Sequence, residues 1–266
     1  MTKETIDSQY PRPYTYPQPM NQFTIRFQLF GIPIEIHPSI FLILLILGGG
    51  LSMEDAGGLI YTLLFIVAGL LCLLSHELGH AFAAKFGYGA STSIILAWTG
   101  GLTSAHPAPP TRGQSLAMTI AGPLGTLVPG IVAVLLLGLQ LGGDFSAAWR
   151  LMAYFSLPFT DGSILSNHLS EASMTALEKM PVHQIQFYSL LCGIGVFWAF
   201  FNLLPIYPLD GGQVMMELTN KPRLCGWVGV VTCLVAGLAL SIWTASAFNA
   251  MIFLLLAWYN YRLARS

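Results

Sequence analysis

The chain has 266 residues, 55% hydrophobic and only 9% charged, against about 25% charged in an average soluble domain. Mean hydropathy is +0.67, and eleven basic residues against twelve acidic ones leave no field to steer a polyanion. These values exclude a conventional soluble globule, a disordered chain and a nucleic-acid-binding surface; they leave a multi-pass membrane protein of one compact domain.

Residues 1–22 read as a disordered tail, in which Pro11, Pro13, Pro17 and Pro19 interleave with Tyr10, Tyr14 and Tyr16. No apolar run follows Lys3 closely enough for a secretory signal. From 23 to 36, apolar and polar residues alternate around Gly31, the pattern of a short β-hairpin lying at the membrane surface. Residues 38–51 carry no charge and read as the first membrane helix, although a span wants about 20 residues. The second span is 57–86 and contains Ser75-His76-Glu77-Leu78-Gly79-His80. Residues 91–104 are again strand-like, with Gly100-Gly101 permitting a turn. A proline-rich loop at 106–112 leads to the third span, 115–141, with Ala121-Gly122-Pro123 near its start. Residues 142–184 are the most polar internal stretch, an extracytoplasmic loop with an interfacial helix around Trp149 to Phe155. Spans four to six follow at 185–204, 227–244 and 248–261. The expected fold is all-α and polytopic, with about six transmembrane helices and short membrane-associated strands near the N-terminus and after the second span. Residues 23–266 form one transmembrane domain with its core motifs in 57–212. With an N-terminus in the cytoplasm, six spans put nine basic residues inside and only Arg150 and Lys179 outside. That bias predicts two cytoplasmic termini. Cys72, Cys192, Cys225 and Cys233 lie in apolar runs without CxxC spacing, so neither a disulfide framework nor a zinc knuckle is indicated.

Histidine and glutamate inside a membrane helix are costly and mark function. His76 and His80 are four residues apart, about 40° in projection on one helix face, which suits two ligands of a single tetrahedral zinc. Glu77 is rotated away from that pair, better placed to take a proton from water than to ligate, as in the HExxH arrangement of zinc hydrolases. A catalytic zinc usually takes three protein ligands. The candidates for the third are His37, His106, His168, His183, Asp144, Asp161, Glu171 and Asp210. Depth sorts them: His76 and His80 lie in the cytoplasmic half of the second span, and the fourth span delivers Asp210 just beyond its own cytoplasmic end. Asp144, Asp161, His168, Glu171 and His183 fall on the other side, up to about 30 Å away. Asp210 is favoured, with His106 and His37 in reserve. The segment from Asn202 through Pro205 and Pro208 to Asp210-Gly211-Gly212 breaks a helix at membrane depth, which is tolerated where backbone lines a cavity.

HELGH on one membrane helix, followed more than a hundred residues later by NxxPxxxxDG, resembles the site-2 protease family of intramembrane zinc metalloproteases. The resemblance covers about residues 23–220 and extends to Gly31-Ile32-Pro33 with His37, and to the strand-like 91–104. It implies one zinc per chain held by His76, His80 and Asp210, with Glu77 as catalytic glutamate. It implies that Asn202 holds the substrate strand or the developing oxyanion. It further implies a transmembrane protein substrate cut within or near the bilayer, in regulated intramembrane proteolysis, in the cell membrane of a prokaryote. No PDZ- or CBS-like insertion is visible in the chain. Where many members carry AGPxxN in the third span, this chain has Thr126 in place of the asparagine. A metal carrier would spread ionisable residues over several spans rather than concentrate them in two motifs. A non-cutting scaffold has no use for an intact Glu77, and a lipid-like substrate for the same zinc chemistry is the remaining alternative.

Overall fold

The computed structural model describes residues 23–50, 55–156, 169–244 and 247–265. The tail 1–22, and with it the expectation of disorder there, lies outside the described residues, as do Asp161 and His168.

The alternation at the start of the chain yields a hairpin, β1 (Ile25–Leu29) and β2 (Ile32–Ile36), turned by Phe30 and Gly31 at positive φ. Helix α1 (Ser39–Leu47) has nine residues, so it rises only about 14 Å. Helix α2 (Ala56–Tyr88) has 33 and rises about 50 Å. The Asp55 carboxylate caps its first turn, accepting from the Gly58 N–H at 2.8 Å, and left-handed Gly89 ends it. Strands β3 (Ser91–Ala97) and β4 (Gly100–His106) then turn at Trp98-Thr99, two residues before the expected Gly100-Gly101. The turn still depends on Gly100, whose φ is +112°. Glycine at 101 serves a different need, met at the site below.

The four strands form one sheet in the order β1-β2-β3-β4. β2 pairs in parallel with β3, Ile34 opposite Ile94, because α1 and α2 intervene as a crossover. The period of two puts Ile32, Ile34, Ile36, Ile94 and Leu96 on one buried face, packed on Ile40 and Leu44 of α1 and on Leu73 and Ala81 of α2. This layer locks the sheet to the helix that carries HELGH. β4 is one of the two edge strands of the sheet, with β1 at the other side, and lies along α2.

The expected third span is two helices, α3 (Arg112–Thr126) and α4 (Val128–Gln140), broken at Leu127 just before Pro129. Residues 142–184 hold the anticipated helix, α5 (Phe145–Ser156), and a second one, α6 (Glu171–Glu178). Asp144 starts α5 by accepting from the Ala147 N–H, and it also accepts from the Ser173 hydroxyl at the start of α6. Helix α7 (Val182–Asn202) ends in the loop 203–209, and α8 (Asp210–Thr219) follows. Helices α9 (Pro222–Thr244) and α10 (Ala247–Arg265) close the chain as a hairpin. By length and composition, four helical segments among the described residues suit a membrane crossing: α2, the α3–α4 unit, α7 and most of α9. Of the six expected spans, the first corresponds to the short α1 and the sixth to α10.

Among the described residues three cores hold these parts. One joins α2, α4, α5 and α7 around Leu137, Leu151, Met152 and Leu191. The second is the sheet layer. The third packs Ile206 of the 203–209 loop against Cys233 of α9 and Phe253 and Ala257 of α10. At Gly79 and Gly125 no side chain separates α2 from α3. A Cβ on Gly79 would overlap the Ala121 carbonyl, and one on Gly125 would overlap the Ser75 carbonyl. The two backbones meet directly. Gly79→Ala is therefore expected to force the helices apart and cost about 1–3 kcal/mol, read as a lower melting temperature of the purified protein.

Candidate metal centre

The close approach of α2 and α3 decides the state of both histidines. His80 Nδ1 lies 2.8 Å from the Met118 carbonyl, which only accepts, so Nδ1 carries the proton. His76 Nδ1 lies 2.8 Å from the Thr126 hydroxyl oxygen. That hydroxyl spends its one hydrogen on the Gly122 carbonyl, 3.1 Å away, and so accepts from His76. In the neutral imidazoles both Nε2 atoms then present bare lone pairs. Gly122 makes room for this, since a Cβ there would strike the His80 ring.

The third donor arrives from the opposite side of the fold. The loop after α7 sets Asp210 at the first position of α8, where the helix N-terminus favours a carboxylate. Gly211 and Gly212 permit the tight return, because a Cβ on either would overlap loop backbone between Leu203 and Tyr207. Asp210 Oδ2 lies 3.2 Å from His76 Nε2 and Oδ1 3.6 Å from His80 Nε2, while the two Nε2 atoms are 3.1 Å apart. All three residues are buried. Asp210 Oδ2 makes no hydrogen bond among the described residues.

This arrangement has too few protons for its lone pairs. Two unprotonated nitrogens and a buried carboxylate converge without a donor between them, an arrangement that a bound cation neutralises. Donor separations test which one. Four ligands at 2.0–2.1 Å in a tetrahedron stand about 3.3 Å apart, and the observed 3.1, 3.2 and 3.6 Å bracket that value. Two imidazoles and one carboxylate are a borderline-soft set that suits a zinc-like ion with a position left open. The residues fit such an ion.

Glu77 is buried beside the pair and points toward β4. Its Oε2 accepts from the Thr103 hydroxyl at 2.7 Å, and any Cβ at residue 101 would occupy the space of its carboxylate. This is why the β3–β4 hairpin carries two successive glycines. His76, Glu77, His80, Asp210 and Asn202 all line one cavity of about 640 Å³, walled on other sides by Trp98, Trp198 and the apolar side chains of α10. Asn202 donates one amide hydrogen to the Trp198 carbonyl of its own helix, at 2.9 Å, and lines the cavity at the end of α7.

The reserve ligands are elsewhere. His37 sits on the sheet, its N–H bonded to the Leu96 carbonyl and its ring 4.0 Å from Glu35. His106 ends β4, Asp144 and Glu171 start helices, and His183 is exposed at the start of α7. Sequence reasoning noted Thr126 only as a departure, and it missed Thr103 and the Met118 carbonyl altogether. A helical offset of four places Gly122 and Thr126 in one line, but which helix that line faces is not written locally.

A sheet-braced membrane helix bearing two histidines, met by an aspartate from a broken helix end, defines a membrane protein built around a buried metal centre. Residues 64–235 match peptidase family M50. The chain belongs to that family, the site-2 proteases. It is 26% identical over 202 residues to zinc metalloprotease MJ0392 of Methanocaldococcus jannaschii, covering 76% of this chain and 47% of that protein. It is 33% identical over 198 residues to sll0528 of Synechocystis, described provisionally as a zinc metalloprotease, covering 71% of this chain and 42% of that one. The chain thus spans under half the length of these relatives. The solved site-2 protease from Methanocaldococcus jannaschii shares the fold, with a TM-score of 0.53 and 21% identity over 92% of this chain and 96% of that one.

Thr126→Val keeps the shape of the side chain but removes the acceptor of the His76 Nδ1 proton. The variant is expected to bind divalent metal about tenfold more weakly, measured by chelator competition, with Thr126→Ser restoring the parent affinity.

Proposed function

We propose that this protein is a zinc-dependent intramembrane endopeptidase that hydrolyses peptide bonds of transmembrane protein substrates within or beside the bilayer, in regulated proteolysis. The single observation that carries the reading is the buried convergence of His76, His80 and Asp210 with Glu77 alongside in the same cavity.

His76 and His80 offer Nε2, and Asp210 its carboxylate, to one zinc. When bound, that ion supplies a Lewis acid that brings the pKa of water toward about 7. Glu77 accepts the proton of the attacking water and passes it to the leaving amine. Thr103 holds the Glu77 carboxylate against β4 in the meantime. The Asn202 amide, at the cavity edge, donates to the oxyanion that develops on the scissile carbonyl. A substrate helix hides its carbonyls in its own hydrogen bonds, so it must unwind before any of this. The free edge of β4, beside Glu77, suits an unwound segment added as a fifth strand. Substrates with helix-weakening residues near the cytoplasmic side are therefore favoured.

Integral membrane residence fits the four long apolar helices. The basic-residue bias supports cytoplasmic termini, which puts the metal centre toward the cytoplasmic leaflet of a prokaryotic cell membrane.

The experiment incubates purified protein with a panel of single-span substrates. The parent is expected to hold about one zinc per chain and to cut. Glu77→Gln should keep zinc and lose cleavage by about 10² or more. Asp210→Ala should lose both zinc and cleavage. Cleavage at the parent rate by Glu77→Gln would remove Glu77 from the mechanism, and full zinc in Asp210→Ala would remove the ligand set.

A further inference from the structure

We propose that Asn260, on the last helix, is a positioning residue for the Asp210 carboxylate, acting through the backbone of Tyr207. The inference rests on the metal reading above and goes beyond it to a residue outside the 64–235 family match.

Asn260 is fully buried in α10. Its carboxamide is spent on the loop that delivers Asp210. The Tyr207 N–H donates to Asn260 Oδ1 at 3.0 Å, and Asn260 Nδ2 donates to the Tyr207 carbonyl at 2.7 Å and to the Leu256 carbonyl at 2.8 Å. One acceptor faces a donor and two donors face acceptors, so only one orientation of the amide satisfies all three. Gripping both the N–H and the C=O of one residue fixes its backbone in place and in direction. Helix α9 is cut to admit this amide, since a Cβ on Gly229 would collide with Oδ1.

The other side of the Tyr207 backbone touches α8. A Cβ on Gly212 would overlap the Ile206 carbonyl and the Tyr207 nitrogen. Tyr207 is therefore clamped between Asn260 and the first turn of the helix that begins with Asp210. Its ring is stacked on Tyr259, 5.9 Å between centroids and 6° from parallel. The Leu209 N–H on the Ile206 carbonyl and the Gln213 N–H on the Leu209 carbonyl complete a continuous path of backbone from the clamp to the carboxylate. An asparagine whose task was to join α9 to α10 would bond across that pair. Each recorded bond of this carboxamide goes instead to the loop or to its own helix. Metal–ligand bonds allow a few tenths of an ångström, and the contacts that orient ligands typically carry 10- to 100-fold in metal affinity. A buried clamp three residues from a ligand is well placed to supply that.

The test uses the full chain, purified in detergent. Asn260→Asp keeps the shape and the acceptor but loses both donors and sets a carboxylate against two carbonyls. Asn260→Ser is the milder variant. Gly237→Ala, whose Cβ would press on Phe253, strains the same hairpin and the core it shares with Ile206 while leaving the three Asn260 bonds in place. Zinc affinity comes from chelator competition, coordination from the visible spectrum of the cobalt(II)-substituted protein, and folding from circular dichroism and melting. Asn260→Asp and Asn260→Ser are each expected to weaken zinc binding about tenfold or more and to change the cobalt spectrum. Gly237→Ala should melt lower yet keep the parent affinity and spectrum. Parent-like binding of both metals by either folded Asn260 variant overturns the proposal, as does a Gly237→Ala variant that loses metal in step with its melting temperature. If the parent holds no zinc and Asp210→Ala changes nothing, the metal reading itself fails and the proposal falls with it.

Discussion

Everything near the centre of this protein depends on three lone-pair donors that have no proton to share. His76 and His80 give their Nδ1 protons to Thr126 and to the Met118 carbonyl, so their Nε2 atoms face Asp210 bare. In a buried setting such a cluster is repulsive, and the surrounding fold must hold it together until a cation neutralises it. The rest of the architecture can be understood as the apparatus that does this.

On one side the apparatus is close backbone packing. Gly79 inside the HELGH sequence and Gly122 and Gly125 on α3 remove the side chains that would separate the helices. Only then do Met118 and Thr126 come within hydrogen-bond reach of the rings. Along the flank of α2, the four-stranded sheet braces the same helix through Ile32, Ile34, Ile94 and Leu96 and lays β4 against Glu77. A single residue type at 101 reconciles the two, because any larger side chain would displace the Glu77 carboxylate.

On the other side the apparatus is a broken helix under external restraint. Pro205 and Pro208 stop α7 from continuing, and a loop of irregular backbone at this depth needs its polar groups satisfied. The loop packs Ile206 into the core of the C-terminal hairpin, and its Tyr207 backbone is met by Asn260. The loop that carries the aspartate is thereby tied to the last helix, as the histidines are tied to α3. The same hairpin contributes the apolar side chains of α10 to the cavity wall, so one element both shapes the chamber and steadies a ligand.

Composition and short motifs by themselves determined the membrane class, the HELGH helix, the hairpin strands and the pairing of His76, His80 and Asp210. The first three rest on local periodicity or on the cost of ionisable groups in apolar surroundings, both written in adjacent residues, whereas Asp210 was favoured by its depth along the expected spans and by the family resemblance. Thr126 was visible only as a substitution, and Thr103, Met118, Gly101 and Asn260 carried no signal of their role. The turn at Trp98-Thr99 was likewise beyond reach of local pattern, whereas the break at Leu127 and the helix Glu171–Glu178 have local marks in Pro129 and the Ser170 cap. What tertiary structure decided was which backbone carbonyls and hydroxyls face the ligands. Those contacts join residues 26 to 53 positions apart, and no periodicity along the chain records a distance that is set by how helices, sheet and loop pack against one another.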